Sequence, residues 1–305
     1  MSAASMKLAK RMVLRRTSHG ISKRDAKSLQ LITSLGTERN YTQAASNYIE
    51  WCIFNNVASE LRANRGILKD YLEERSEWVK QKTLDMERQA LQLLYLQKLP
   101  YIKSQKPTIQ AKRSYTTVQV NQIAECQTER NAITTLLAIH AGVRAHESAT
   151  LLPITERSPS THRIWDSMRF AGFPDFVRYT VIGKGGLCRE IAVPVWLANL
   201  IEARRRKAPI KVRDRGIFYT SFYDIGFGQA WSQSFTSASQ RVFGFSRGGH
   251  GLRHSFAKQR LYQLEKEFEL LPQGNENTST REKALKVLSQ ELGHFRIDVT
   301  YAYLR

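Results

Sequence analysis

Cysteine is scarce in this 305-residue chain: Cys52, Cys126 and Cys188 are the only three, far apart and odd in number. That sets aside a disulfide framework, argues against a cysteine zinc knuckle, and points to a reducing interior. No apolar run approaches the ~18 residues that a membrane span needs. The N-terminus carries charges but neither the apolar stretch nor the small-residue cleavage site of a secretory signal. No internal repeat of fixed period is found. Acidic residues are the last shortage. Only 27 Asp and Glu face 47 Lys and Arg, leaving a net charge of +20.

What is present is a globular composition, 42% hydrophobic and 24% charged, unlike that of a disordered chain. At ~150 residues per domain the length predicts two domains, each able to bury its own core. A soluble intracellular protein with so large a positive excess is expected to face nucleic acid, because Lys and Arg displace the counterions of phosphates. Ribosome association or a membrane surface would be the competing destinations.

Several catalytic signatures fail on inspection. Gly244-Phe245-Ser246-Arg247-Gly248 has the spacing of a serine-hydrolase elbow, but Gln240-Arg241-Val242-Phe243 is a poor buried strand to precede it. His250 and His254 stand four apart, as zinc ligands on a helix would, yet Gly251 occupies the place of the peptidase glutamate. Gly183-Lys184 lacks the upstream Gly and the following Ser or Thr of a phosphate-binding loop, so nucleotide-dependent chemistry has no support.

The texture changes along the chain. The first 30 residues hold Lys7, Lys10, Arg11, Arg15, Arg16, Lys23, Arg24 and Lys27 against Asp25 alone, which reads as a basic arm over residues 1–36. Tyr41, Ala45, Tyr48, Ile49 and Cys52 recur at helical spacing, and a longer helix is expected from about Leu68 to Leu99, stopping before Pro100. A helical unit over 37–102 follows. Two prolines and four cations between Pro100 and Tyr115 mark a linker, placed at 103–116. Beyond it, 117–305 begins with a helix over Val118–Ala141. Val177–Ile182 and Arg189–Val195 then form a hairpin around Gly183-Lys184-Gly185-Gly186, and helices resume from Gln229.

One constellation survives. Arg144 and Glu147 follow a helix, Lys184 lies at the hairpin tip, and His250 and Arg253 follow two glycines. His294 comes after Leu292-Gly293, and Tyr303 lies nine residues beyond it. In this order the set closely resembles the tyrosine recombinase (phage integrase) family over about the last 190 residues. Residues from about Thr37 to Leu99 resemble, more loosely, the family's helical core-binding domain. The resemblance implies a mainly α (α+β) fold: a helical core-binding domain and a catalytic domain with a small antiparallel sheet, closing as a C-shaped clamp on DNA. It implies Tyr303 as nucleophile, Arg144 and Arg253 on the scissile phosphate, Lys184 as general acid, His250 and His294 assisting, and Glu147 as a structural partner behind the site. No cofactor or metal is implied. The partner would be double-stranded DNA with specific recombination sites, met by a homotetramer with a dimer per site, in the cytoplasm on the nucleoid and away from membranes. The function would be cutting and rejoining DNA, as in integration or excision of a mobile element. A type IB topoisomerase-like enzyme and a non-catalytic architectural DNA-binding protein are the alternatives.

The chemistry asks for these residue types. A phosphodiester transition state spreads negative charge over its non-bridging oxygens, which planar guanidinium forks match better than ammonium groups. His250 and Arg253, at i and i+3, share a helical face, and Gly248-Gly249 allows the turn that aims that helix at a phosphate. A phenol of pKa ~10 needs nearby cations and a proton acceptor to attack at neutral pH. Two departures from the family pattern stand out. Arg253 and His294 are 41 residues apart, which predicts an insertion within Glu265–Ala284, and the sequence stops two residues after Tyr303, before the helix with which many members dock on a neighbour. Tyr301 is the rival nucleophile; the offset from His294 favours Tyr303.

Overall fold

Helix caps and breaks divide the chain into short helices before any strand appears. In the computed structural model, which describes residues 2–21, 23–107, 112–183, 185–271 and 278–304, the chain forms two compact units, Met1–Gln110 and Ala111–Arg305. The first is all helical: α1 (Ala3–Leu14), α2 (Lys23–Ser28), α3 (Leu35–Phe54), α4 (Arg65–Trp78) and α5 (Gln81–Tyr95), with a 3₁₀ turn at Ser59–Ala63. Ser34 caps α3 by accepting from the Thr37 N–H, and Asn64 caps α4 by accepting from the Gly66 N–H.

Two expectations are corrected in this unit. The stretch read as a basic arm is folded: α1 packs on α3, with Ala9 and Val13 fully buried beside Ala45 and Ile49, while its cations face outward. The residues that α1 buries are small and few, so the helix's apolar stripe is narrow. The single helix expected over 68–99 is two, α4 and α5, separated at Val79-Lys80 where the backbone is extended. The break lets α5 fold back on α4. Glu87, 1% exposed, then accepts from the Arg75 guanidinium at 2.6 and 2.9 Å and from the Tyr71 hydroxyl at 3.0 Å. A carboxylate this deeply buried needs such pairing to keep its charge.

The second unit opens with α6 (Thr117–Glu125), whose Thr116 and Gln119 form a reciprocal capping box, and α7 (Glu129–Ala141). The helix expected over 118–141 is therefore broken at Cys126–Thr128. After a 3₁₀ turn at Glu147–Thr150 come β1 (Leu152–Pro153), β2 (Phe176–Ile182) and β3 (Cys188–Pro194), an antiparallel sheet in that order with Val181 opposite Arg189. The hairpin matches the sequence reading to within a residue or so. Next follow α8 (Val195–Glu202) and a second antiparallel pair, β4 (Arg205–Asp214) and β5 (Ile217–Tyr223), which the sequence reading did not anticipate. The chain then runs through α9 (Gly228–Phe243), α10 (His250–Leu270), α11 (Thr280–Glu291) and α12 (Ile297–Leu304). Of the segment expected to hold an insertion, Glu265–Ala284, residues 265–270 continue α10 and residues 280–284 open α11, while 272–277 lie outside the described residues. One core joins α6, α7, β2, β3, α8 and α9; another joins α10, α11 and α12 around Phe256, Leu264 and Leu288. No helix among the described residues is long and apolar enough to cross a membrane.

Candidate active site

The site is assembled on a buried carboxylate. Glu147, with no exposed surface, accepts from the Arg144 backbone N–H at 2.9 Å and its guanidinium at 2.6 Å, and from Arg189 at 2.7 Å. Burial alone would push this carboxyl up; Arg189, Arg144 and Arg253 outweigh it and hold the pKa well below the usual carboxylate range. Arg189 is 1% exposed and donates to the Glu291 carbonyl at 2.7 Å as well. Sequence reading had treated it only as the start of a strand. The available signal was a cation in a strand whose both faces are buried, since Arg189 through Val193 are all inaccessible.

Local backbone geometry sets the two arginine-bearing segments. Gly142 ends α7 in the left-handed region at φ +61°, and a Cβ there would stand 2.5 Å from the Phe256 ring, so only glycine fits. Its carbonyl accepts from Arg253, whose other terminal nitrogen donates to the Leu292 carbonyl. Gly293 is equally constrained, at φ +70° with the Arg189 Cδ where its Cβ would lie. Arg189 and Arg253 thereby tie α7, β3, α10 and the turn after α11 together around one point.

That point is the His294 ring. Arg144 Nη2 lies 2.7 Å from His294 Nε2, Arg253 Nη2 3.3 Å, and the Tyr303 hydroxyl 3.4 Å. Arginine only donates, so Nε2 is an acceptor and the ring proton resides on Nδ1, which is buried without a partner. Burial, followed by the charges of Arg253, Arg144 and Arg189, lowers the His294 pKa to about 3. Tyr303, 7% exposed on α12, stacks on His294 with ring centres 5.1 Å apart and lies 5.3 Å from the Arg253 guanidinium. His250, at the first turn of α10, is 5.3 Å from the Tyr303 ring; much of it faces solvent, but the protein around the rest, followed by the Arg253 guanidinium and the neighbouring His254 and Arg144, lowers its pKa to about 4. His254 completes the surround, its Nδ1 3.0 Å from the Tyr303 carbonyl oxygen.

Of the six expected site residues, the structure brings five together: Arg144, His250, Arg253, His294 and Tyr303. Lys184 lies outside the described residues. Its neighbour Gly183 borders the cluster, where a Cβ would stand 3.3 Å from Glu147 Oε1 and 4.0 Å from Arg144 Nη1. Tyr301, the rival, is 44% exposed. Arg189 and His254 are the additions that sequence reasoning missed. A cavity of about 300 Å³, lined by Lys112, Arg113, Arg247, His250 and His254, opens beside the cluster without an acidic wall. No group of three or more His, Cys, Asp or Glu among the described residues is placed to hold a metal ion.

No protein-family model matches the sequence, and no curated protein matches it significantly. Solved structures do match. The XerH site-specific recombinase bound to its difH substrate in a pre-cleavage complex superposes with a TM-score of 0.57 at 15% identity, over 99% of this chain and 92% of that one. Its post-cleavage complex with palindromic difH gives 0.55 at 14% identity, over 99% and 90%. The chain has the tyrosine recombinase fold. Within this recombinase fold, the mainly α architecture and the small antiparallel sheets agree with the expectation from sequence.

Proposed function

We propose that the chain is a site-specific tyrosine recombinase that cuts and rejoins duplex DNA through a 3′-phosphotyrosyl intermediate. The observation carrying this reading is the convergence on His294 Nε2 of the Tyr303 hydroxyl and two guanidiniums, from segments as far apart as Arg144 and Tyr303. Two cations, an acceptor nitrogen and a phenol within hydrogen-bond reach of one another are what attack on an anionic phosphodiester requires. The XerH likeness supports the fold on which the reading rests. Arg144 Nη2 lies 2.7 Å from His294 Nε2. A scissile phosphate would draw the guanidinium protons to its own oxygens, freeing Nε2 to accept the Tyr303 proton. Substrate entry and activation of the nucleophile are then one event. The Tyr303 oxygen forms a bond to phosphorus as the bond to the 5′ oxygen breaks; the phenol proton passes to His294, and Lys184 protonates the departing 5′ oxygen. The phosphotyrosyl ester conserves the bond energy, so a second 5′ hydroxyl reverses the step without ATP.

The same reading assigns the first unit to core-site binding and the working assembly to a homotetramer, with a dimer on each recombination site. Integration or excision of a mobile element is the process proposed. The test is a nicked suicide substrate cut from DNA flanking the protein's own gene. A protein–DNA adduct on a denaturing gel is expected, with the protein on the 3′ phosphate. Relaxation of plasmids lacking any such site, with no site-dependent adduct, would replace the recombinase reading by a topoisomerase.

A further inference from the structure

The second hairpin lies outside everything the proposed chemistry uses. Residues 204–215 hold seven Lys and Arg against the single acid Asp214. Three of the cations are committed: Arg204 and Arg206 pair with Asp224, and Arg205 pairs with Glu156 and Glu202. Lys207, Lys211, Arg213 and Arg215 are exposed and form no ion pair among the described residues.

Strand register sorts the hairpin into two faces. Ile210 is opposite Ser221 and Val212 opposite Tyr219. Ser221 is buried, Val212 and Tyr219 are half-buried and the Tyr219 ring lies 6.3 Å from His146, so this face, apart from the exposed Ile210, turns toward the body of the unit. The other face carries Lys211 opposite Thr220 and Arg213 opposite Phe218, all four exposed, with no acid among them. Phe218 is 66% exposed, and the Arg213 guanidinium sits 5.5 Å from its ring centre. A cation–π contact holds that guanidinium in place, which reduces the ordering cost of a later contact. Lysines on an open sheet edge guard against aggregation; that purpose gives no reason for a bare phenyl ring beneath an arginine.

We propose that this outward face of the β4–β5 hairpin, centred on Lys211 and Arg213, docks on the phosphate backbone of the duplex that the chain cuts. The inference rests on the DNA-cutting reading above. Charge selects the occupant. A second copy of the chain would bring its own +20 to a cationic face, whereas duplex DNA offers about one negative charge per 1.7 Å of axis. Lys211 and Arg213, two residues apart on one strand face, stand ~7 Å from each other, so each meets its own phosphate. The root of the hairpin is tied to the site: Asp214 Oδ1 accepts from the Gln229 N–H at 2.9 Å, and the adjacent Gly228 N–H donates to the Ala145 carbonyl at 2.6 Å, next to Arg144. A grip there positions the duplex against the candidate active site.

The experiment measures binding of the full chain to a mixed-sequence duplex across a salt series. It compares the unaltered chain, Lys211→Gln/Arg213→Gln, and a control pair, Lys266→Gln/Lys286→Gln, at exposed positions of α10 and α11. The slope of log affinity against log salt should flatten by about 1.8 in the hairpin pair, or about 0.9 in either single variant, and hold in the control. An unchanged slope in the hairpin variants overturns the proposal. So does loss of self-association with the slope intact, which would give the face to a second copy. Binding needs no cleavage, so a chain that forms no adduct yet shows the flattened slope refutes the proposed chemistry and spares this inference; an adduct with an unaltered slope does the reverse.

Discussion

Tyr301 and Tyr303 lie two residues apart on one short helix, yet 44% of the first is exposed and 7% of the second. Replacing Tyr303 by Phe should abolish covalent attachment and leave DNA affinity within a few-fold, since it removes one hydroxyl and no cation. An adduct from Tyr303→Phe and none from Tyr301→Phe would reverse the assignment. His294 makes a second prediction, about stability. Its folded pKa of about 3 lies below the ~6.5 of an unfolded histidine, so between these values the unfolded chain binds more protons and stability falls as pH falls. His250, at about 4, acts with the same sign. Glu147, also held low, adds its share only below the ordinary carboxylate range near ~4.3. Urea midpoints at pH 5, 6 and 7 should therefore rise with pH, and rise less steeply in His294→Gln. A variant as pH-sensitive as the parent would show that the ring is not held neutral by its burial and the charges of Arg253 and Arg144.

The β2–β3 hairpin was legible because Val, Ile and Tyr alternate on either side of Gly183-Lys184-Gly185-Gly186, and glycine punctuation survives whatever the rest of the fold does. The candidate site residues Arg144, His250, Arg253, His294 and Tyr303 were singled out for a different reason: their order along the chain resembles the tyrosine recombinase pattern. Arg189 was not, because its role exists only once β3 passes behind Glu147 and Gly293. The α4–α5 break was hidden as well. No Gly or Pro marks Val79-Lys80; the turn is stabilised by the meeting of Glu87 with Arg75 and Tyr71, a tertiary event. β4 escaped because its alternating apolar positions, Ile210 and Val212, are few and lie among Lys211, Arg213 and other cations. Lys184, in the segment joining β2 and β3, supplies the prediction at this scale. Lys184→Ala should slow cleavage strongly, and a 5′-bridging phosphorothiolate should restore much of the rate, because a thiolate departs without a proton. Absence of rescue would move Lys184 from proton donor to DNA contact.

The positive excess belongs to the whole molecule and not to one patch. Residues 1–110 hold 19 Lys and Arg against 10 Asp and Glu, and residues 111–305 hold 28 against 17, so each unit is basic in its own right. Affinity built from two basic units on one duplex gains from linkage, since the second binds at the effective concentration set by the first. Chemistry does not divide in that way. Every described member of the candidate site, with its supports Glu147 and Arg189, belongs to the second unit, which has cores of its own in α6–α9 and α10–α12. A fragment of residues 112–305 should thus still form the adduct on a nicked substrate at low salt and high concentration. Its DNA affinity should fall at least tenfold at physiological salt, with a shallower salt slope, as phosphate contacts of the first unit are lost. The measurement pairs adduct yield at saturation with a binding isotherm for each chain. A folded fragment that binds DNA to saturation yet makes no adduct would place part of the catalytic apparatus in the first unit. Undiminished affinity would instead mean that the cations of the first unit, α1 included, face solvent and not DNA.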